Sequence, residues 1–267
     1  MANIGELASF FRKNRVILGS SSKWRRKILE GQGCPCGVMS PDIDEKQIRH
    51  DDPSILVTMI AHKKADACLE HLTKVSPRCV FPEGYVYQTP HDMSEAGENG
   101  QDEAMGEDSD AVLPSYHSWA ICSDQVVVFK GEIREKPANR EEAEAFLRDY
   151  SGNSEPAHII VAVVLVNTYS KMRVEYVDKA MVWFRHMPDA AIKAILDDGM
   201  VMTSAGGLVI DDDIMSTYVD RIEGSRDCLM GLPMAVVSQL IKEAVEREGG
   251  SCSIGVRKCM RCTDRPA

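Results

Sequence analysis

Nowhere does this 267-residue chain carry an apolar run approaching the roughly 20 residues that a membrane-spanning helix needs. Its start, Met1 to Arg15, lacks the continuous apolar stretch of a secretory signal. Ile4, Leu7, Phe10 and Phe11 allow one short amphipathic turn there, and residues 1–15 read as an N-terminal extension of a cytoplasmic protein with no membrane partner, an organelle-targeting segment being the alternative. Lys and Arg form no stripe and the formal net charge is −10, so polymeric nucleic acid is not an expected partner either. The nine cysteines are odd in number and irregular in spacing, which argues for reduced thiols over a secreted disulfide framework. Cys259 and Cys262 look like half a zinc knuckle with Cys252 nearby, but no fourth ligand follows at a suitable spacing. No segment repeats.

The acidic excess is local. Asp92 to Asp110 holds eight acids and no Lys or Arg; without them the rest of the chain stands at −2. The body is therefore close to neutral and leaves room for a basic pocket. Residues 75–118, rich in Gly, Pro and acids, read as an insertion that is flexible around 90–112, because its centre has too little apolar surface to fold. The main domain is expected over 16–248, with a tail over 249–267.

Strand and helix patterns alternate through that domain. Val16 to Leu18 reads as a buried strand, Lys23 to Glu30 as a helix and Cys36 to Met39 as a short strand. Asp52-Pro53 opens a long helix to about Leu72. Trp119 to Phe129 reads as a central strand. Asn139 caps a helix with Glu142 three residues on and an apolar stripe of Ala143, Phe146, Leu147 and Tyr150. Further strands are expected at His158 to Val166 and Val174 to Phe184, and helices at Pro188 to Leu196 and Leu232 to Glu246. The alternation predicts an α/β fold: a central mixed, twisted sheet flanked by helices, with two lobes and a ligand cleft between them near the strand ends.

Three features carry chemistry. Gly19-Ser20-Ser21-Ser22 joins a strand to a helix start, where free amides and hydroxyls suit an anion and Arg25 adds a planar donor fork. The bland alternative is a serine-rich turn before a solvated basic helix; the glycines and Lys-Ser/Thr ending of a Walker loop are missing. On the long helix the neighbours of Lys64 at three- and four-residue spacing are Ile60, Ala61, Ala67 and Cys68, so Lys64 projects from the core side. It either snorkels to water or meets a buried anion. Ser123-Asp124-Gln125 interrupts an apolar strand, and a carboxylate there is costly unless paired or bound to metal. Asp124 is either a structural ion-pair partner or catalytic. Ile43-Asp44-Glu45, Lys136-Pro137 and the stretch Thr203 to Asp213 are unspecific alone and read as a turn, a linker and a flexible loop.

In this order the segments resemble the Maf, or septum-formation, family of nucleotide pyrophosphatases. The likeness runs from Val16 to Ala244, skipping the insertion. It rests on Ser20-Ser21-Ser22-Lys23-Trp24-Arg25-Arg26, Ile43-Asp44-Glu45, Ala61-His62-Lys63-Lys64-Ala65, Ser123-Asp124-Gln125-Val126, Lys136-Pro137, Ser151-Gly152, Ala205-Gly206, Glu223-Gly224-Ser225 and Gly231-Leu232-Pro233. Lys23 stands where the family usually has proline, and Ala162-Val163 where it has Thr-Gly.

The resemblance implies hydrolysis of a nucleoside triphosphate to monophosphate and pyrophosphate. It implies Asp124 and Glu45 as the catalytic and metal-binding carboxylates, with Mg²⁺ or Mn²⁺ as cofactor. Ser20, Ser22, Arg25, Lys64 and Lys136 fall at the triphosphate positions. Trp24, Gln125 and Asp211 match a subgroup that prefers 7-methyl-GTP, although glutamate is usual at the position of Asp211. A cationic methylated guanine suits an aromatic face and an acid. An unmodified dTTP or UTP substrate, and a non-catalytic nucleotide-binding regulator of cell division, are the alternatives. The oligomeric state is not fixed by sequence, and a homodimer is kept as an option.

Overall fold

A computed structural model describes residues 4–74 and 118–249. All but the last residue of the expected insertion (75–118), all but the first of the tail (249–267), and the Cys252, Cys259 and Cys262 group lie outside the described residues.

The elements run α1 (Ile4–Lys13), β1 (Arg15–Gly19), α2 (Lys23–Gly31), β2 (Gly37–Met39), α3 (Pro53–Lys74), β3 (Ser118–Phe129), β4 (Glu132–Arg134), α4 (Arg140–Tyr150), β5 (Ala157–Asn167), β6 (Arg173–Phe184), α5 (Asp189–Asp198), β7 (Val219–Glu223), α6 (Arg226–Leu229) and α7 (Met234–Arg247). The strands form one mixed sheet in the order β2-β1-β3-β5-β6-β7, with β4 paired to β3. β1 is parallel to both β2 and β3, and every later pairing is antiparallel. The expected α/β class with a mixed, twisted sheet flanked by helices is what the structure has.

Side-chain alternation along the strands divides the core. Val16 and Leu18 of β1, Ile121 and Val127 of β3, and Ile159 to Leu165 at odd positions of β5 face one cluster, which α1, α2, α4, α5 and α7 cover. Ile17, Cys122, Val126, Ile160, Ala162 and Val164 face the other, which α3 covers with Leu56, Val57, Ile60, Ala61 and Ala65. β5 is covered on both sides, which explains its unbroken apolar sequence. By the same alternation Asp124 points to α3, while Ser123 and Gln125 point the other way.

Helix starts follow local chemistry. Asp52 Oδ1 accepts from the amides of Ser54 (2.7 Å) and Ile55 (3.2 Å) at the head of α3. Asn139 Oδ1 accepts from Glu142 N at 2.8 Å, and Glu142 Oε2 in return accepts from Ala138 N at 2.6 Å. Asn139→Ala should therefore cost about 1 kcal/mol, a fall in Tm of about 2–4 °C for a domain of this size, with kcat unchanged. Thermal unfolding and turnover on the purified variant check this; an unchanged Tm would show that the cap contributes nothing.

Two expectations need correction. The N-terminal segment is no mere short turn: α1 has ten residues, and Leu7, Ala8, Phe10 and Phe11 are buried in the first cluster. Thr203 to Asp213 is not a loose loop. Leu208, Val209 and Ile210 are buried, Gly206 N donates to Glu135 O at 2.8 Å, and Tyr150 Oη donates to Gly206 O at 3.0 Å. Three consecutive apolar residues give this segment enough burial to hold it against α4 and β3.

Candidate active site

The α3-facing side of β3 and the start of α2 meet at a group of charges. Lys64 sits among buried Ile60, Ala61 and Cys68, so its stem crosses the packed α3–β3 interface. Its ammonium ends 2.7 Å from Asp124 Oδ1 and 2.8 Å from Glu45 Oε1. Both readings left open by sequence are met in this one contact: the anion that Lys64 reaches is Asp124, and the partner of Asp124 is Lys64. Their side chains are 7% and 9% exposed, against 42% for Glu45.

Glu45 is delivered by a single 3-10 turn, Glu45–Gln47, which Asp44 caps by accepting from Lys46 N at 3.1 Å. Ile43 anchors the approach by packing on the α3 cluster. Burial pushes the Glu45 carboxyl up, but Lys64, Lys136 and Arg25 outweigh it and hold its pKa below the usual value. The exposed Lys136, just beyond β4, thus belongs to the same electrostatic group.

Arg25 is buried in the first turn of α2. Its Nε donates to Gly231 O at 3.0 Å, and its Nη1 donates to Ser123 O at 2.9 Å and to Ser20 Oγ at 3.2 Å. Ser20 Oγ also accepts from Ser22 N, and Ser22 Oγ accepts from Arg25 N as the α2 cap. The two serines therefore first shape the loop and orient the guanidinium. Burial draws the Arg25 pKa down, and Asp124 and Glu45 oppose that.

The other face of β3 is closed by the segment from α6 to Gly231. Ser123 Oγ donates to Gly231 O at 2.8 Å, and Gln125 Nε2 donates to Leu229 O at 3.2 Å. Gly231 has φ +93°, and a Cβ there would lie 2.3 Å from Gln125 Oε1 and 3.1 Å from Arg25 Nε. Only glycine allows that approach. Sequence reading gave Gly231 no role of its own, although a glycine directly before a helix-opening Leu-Pro is a visible signal.

Glu45, Lys64, Asp124, Arg25 and Lys136 are thus brought together. The three residues expected to read the base are less closely joined. Trp24 is half-buried against the first cluster, with the Lys23 and Lys27 ammoniums 5.3 and 5.4 Å from its ring centroid. Asp211 accepts from Arg226 Nε at 3.0 Å and Nη2 at 2.8 Å. Gln125 and Asp211 therefore share α6 as a neighbour, but no hydrogen bond or ion pair joins Trp24 to either among the described residues. Sequence reading did not single out Arg226, because its contact with Asp211 is a tertiary one.

The chain matches the family model described as Maf-like protein over residues 15–244. It belongs to the Maf family. Among related Maf proteins, the 7-methyl-GTP pyrophosphatase of Dictyostelium discoideum is 33% identical over 228 residues, covering 85% of this chain and 96% of that protein. The dTTP/UTP pyrophosphatases of Hahella chejuensis and Caldanaerobacter subterraneus are 26% and 28% identical, covering 86% and 85% of this chain and 92% and 88% of theirs.

A divalent cation is implied for such a site. No group of three or more His, Cys, Asp or Glu side chains among the described residues is placed to hold one. Two carboxylates do converge, Asp124 and Glu45, both on Lys64 Nζ. Two oxygen ligands from protein, completed by phosphate and water, suit a hard ion such as Mg²⁺. The residues present fit it. No helix of the described residues is long and apolar enough to cross a membrane.

Proposed function

We propose that this Maf protein is a nucleoside triphosphate pyrophosphatase that hydrolyses 7-methyl-GTP to 7-methyl-GMP and pyrophosphate. The observation that carries the chemistry is the buried Lys64 ammonium between Asp124 and Glu45, with Arg25 oriented beside them. Support for the base comes from the 33% identity to a 7-methyl-GTP pyrophosphatase across nearly its whole length.

Water attacks the α-phosphorus, its proton passes to Asp124, and the bond from that phosphorus to the bridging oxygen breaks, releasing pyrophosphate. Arg25 supplies Nη2, which has no hydrogen bond among the described residues, while its other nitrogens fix its direction. Lys136, exposed and close enough to act on Glu45, steadies the outer phosphates. Asp124 and Glu45 would hold Mg²⁺ or Mn²⁺, which neutralises charge on the triphosphate when bound. The buried free thiols Cys34, Cys36, Cys68, Cys122 and Cys228 support a reducing, cytoplasmic setting.

A second reading keeps the reaction with UTP or dTTP as substrate. It is favoured by the lysines over Trp24 and by Arg226 on Asp211, since both groups expected to attract a cationic base already face cations. A panel of 7-methyl-GTP, GTP, UTP and dTTP decides between them. We expect pyrophosphate release, with kcat/KM for 7-methyl-GTP about tenfold or more above the others. A higher value for UTP or dTTP would establish the second reading. No pyrophosphate from any of the four would favour a binding regulator.

A further inference from the structure

Lys64 cannot serve two places at once. Its Nζ lies 2.7 Å from Asp124 and 2.8 Å from Glu45, yet a phosphate clamp needs the same ammonium on the nucleotide. A hard cation held by Asp124 and Glu45 would use the same two carboxylates that Nζ now contacts. The ammonium would then face a divalent charge across those carboxylates, with the Lys64 and Asp124 side chains largely shielded from the water that would screen the repulsion. Lys64 and the metal therefore exclude one another in this arrangement.

Resting on the metal-dependent reading above, we propose that Lys64 is a built-in substitute for the metal. In the nucleotide-free protein its ammonium neutralises Asp124 and Glu45, and it gives up that place only when the triphosphate offers it other oxygens. The neighbouring cations act on these acids from further off: Arg25 is fixed to Gly231 O, Ser123 O and Ser20 Oγ, Lys136 is exposed, and neither makes an ion pair with Asp124 or Glu45 among the described residues. Lys64 has the reach, because its four-carbon stem is flexible and Ser123 O, 3.5 Å from Nζ, offers a second acceptor besides the two acids. Metal and nucleotide then bind with positive coupling, each helping the other to displace Lys64. Metal entry with the nucleotide follows, as does protection of the two acids from stray cations between turnovers.

The test measures Mn²⁺ binding by the loss of the free-ion paramagnetic resonance signal. Wild type and Lys64→Gln are titrated alone, and wild type also with the uncleavable α,β-methylene analogue of GTP, corrected by a titration of the analogue without protein. We expect Lys64→Gln alone to bind Mn²⁺ about tenfold or more tightly than wild type alone, because two carboxylates lose their resident cation. We also expect the wild type to take up Mn²⁺ with the analogue at concentrations where it takes up none alone. A folded Lys64→Gln with wild-type affinity overturns the proposal, as does wild type that binds Mn²⁺ equally well without the analogue. If circular dichroism shows Lys64→Gln unfolded, Lys64→Met, which keeps an apolar stem between α3 and β3 and lacks the charge, is titrated in its place, and wild-type affinity in that variant overturns the proposal. Absence of Mn²⁺ from every sample, the analogue complex included, would sink the metal reading itself and this inference with it.

Discussion

Asp124→Asn should lower kcat by about 10²-fold or more, since loss of a positioned proton acceptor commonly costs that much. The change keeps the size of the side chain and removes only its charge and basicity. Breaking a buried ion pair is usually destabilising because the partner is stranded. Here Lys64 keeps Glu45 at 2.8 Å, so its ammonium is not left alone and the fold should survive. Ser123 and Gln125 on either side face the other layer and keep their bonds to Gly231 O and Leu229 O, so the strand stays in register. Turnover and thermal unfolding are measured together. Turnover within about threefold of wild type, in a variant that unfolds normally, would remove Asp124 from the chemistry.

The parts of this site that were legible in sequence share one property: each breaks a local pattern. Asp124 is a charge inside an apolar strand, and Lys64 a charge on the apolar side of a helix. Alternation and helical periodicity then fix which way each points, and the two turn out to face one another. Glu45 broke no pattern, because an acid in a turn is ordinary. Only the family likeness singled it out, and its proximity to Lys64 is a tertiary fact. Strand β7 went unseen for a similar reason. Its sequence, Val219-Asp220-Arg221-Ile222-Glu223, is polar at three of five positions, as suits an edge strand paired only to β6. Helix α1 was underestimated because Leu7, Ala8, Phe10 and Phe11 were weighed without the sheet face that buries them. Asp211 illustrates the limit most plainly: its position in the chain says nothing of Arg226, fifteen residues on, whose guanidinium already neutralises it.

The double variant Trp24→Leu/Asp211→Asn should cut the preference for 7-methyl-GTP over UTP by roughly 10- to 100-fold in kcat/KM, as loss of a cation–π contact and of a charge-assisted bond at about 0.7–1.4 kcal/mol each implies. Leu keeps the packing of a half-buried side chain on the first cluster while removing the aromatic face, and Asn keeps the size of Asp while removing its charge. Gln125 is left in place, because its bond to Leu229 O holds α6 against β3. For wild type to prefer a cationic base, the resident cations must yield. Lys23 and Lys27 are exposed and can swing off the ring, and the Arg226 side chain is 60% exposed at its ion pair. Displacing the two lysines in water costs little, since exposed contacts of this kind contribute about 0–1 kcal/mol; moving Arg226 costs more, because the Asp211 side chain is only 21% exposed. Each single variant should shift the ratio by part of the total, and their sum tests whether Trp24 and Asp211 act on the same base. Both substrates are measured on wild type, the two single variants and the double. A ratio that stays put, in proteins with wild-type unfolding, would show that these two residues do not read the base, and would move the search for specificity to the α6–Gly231 wall.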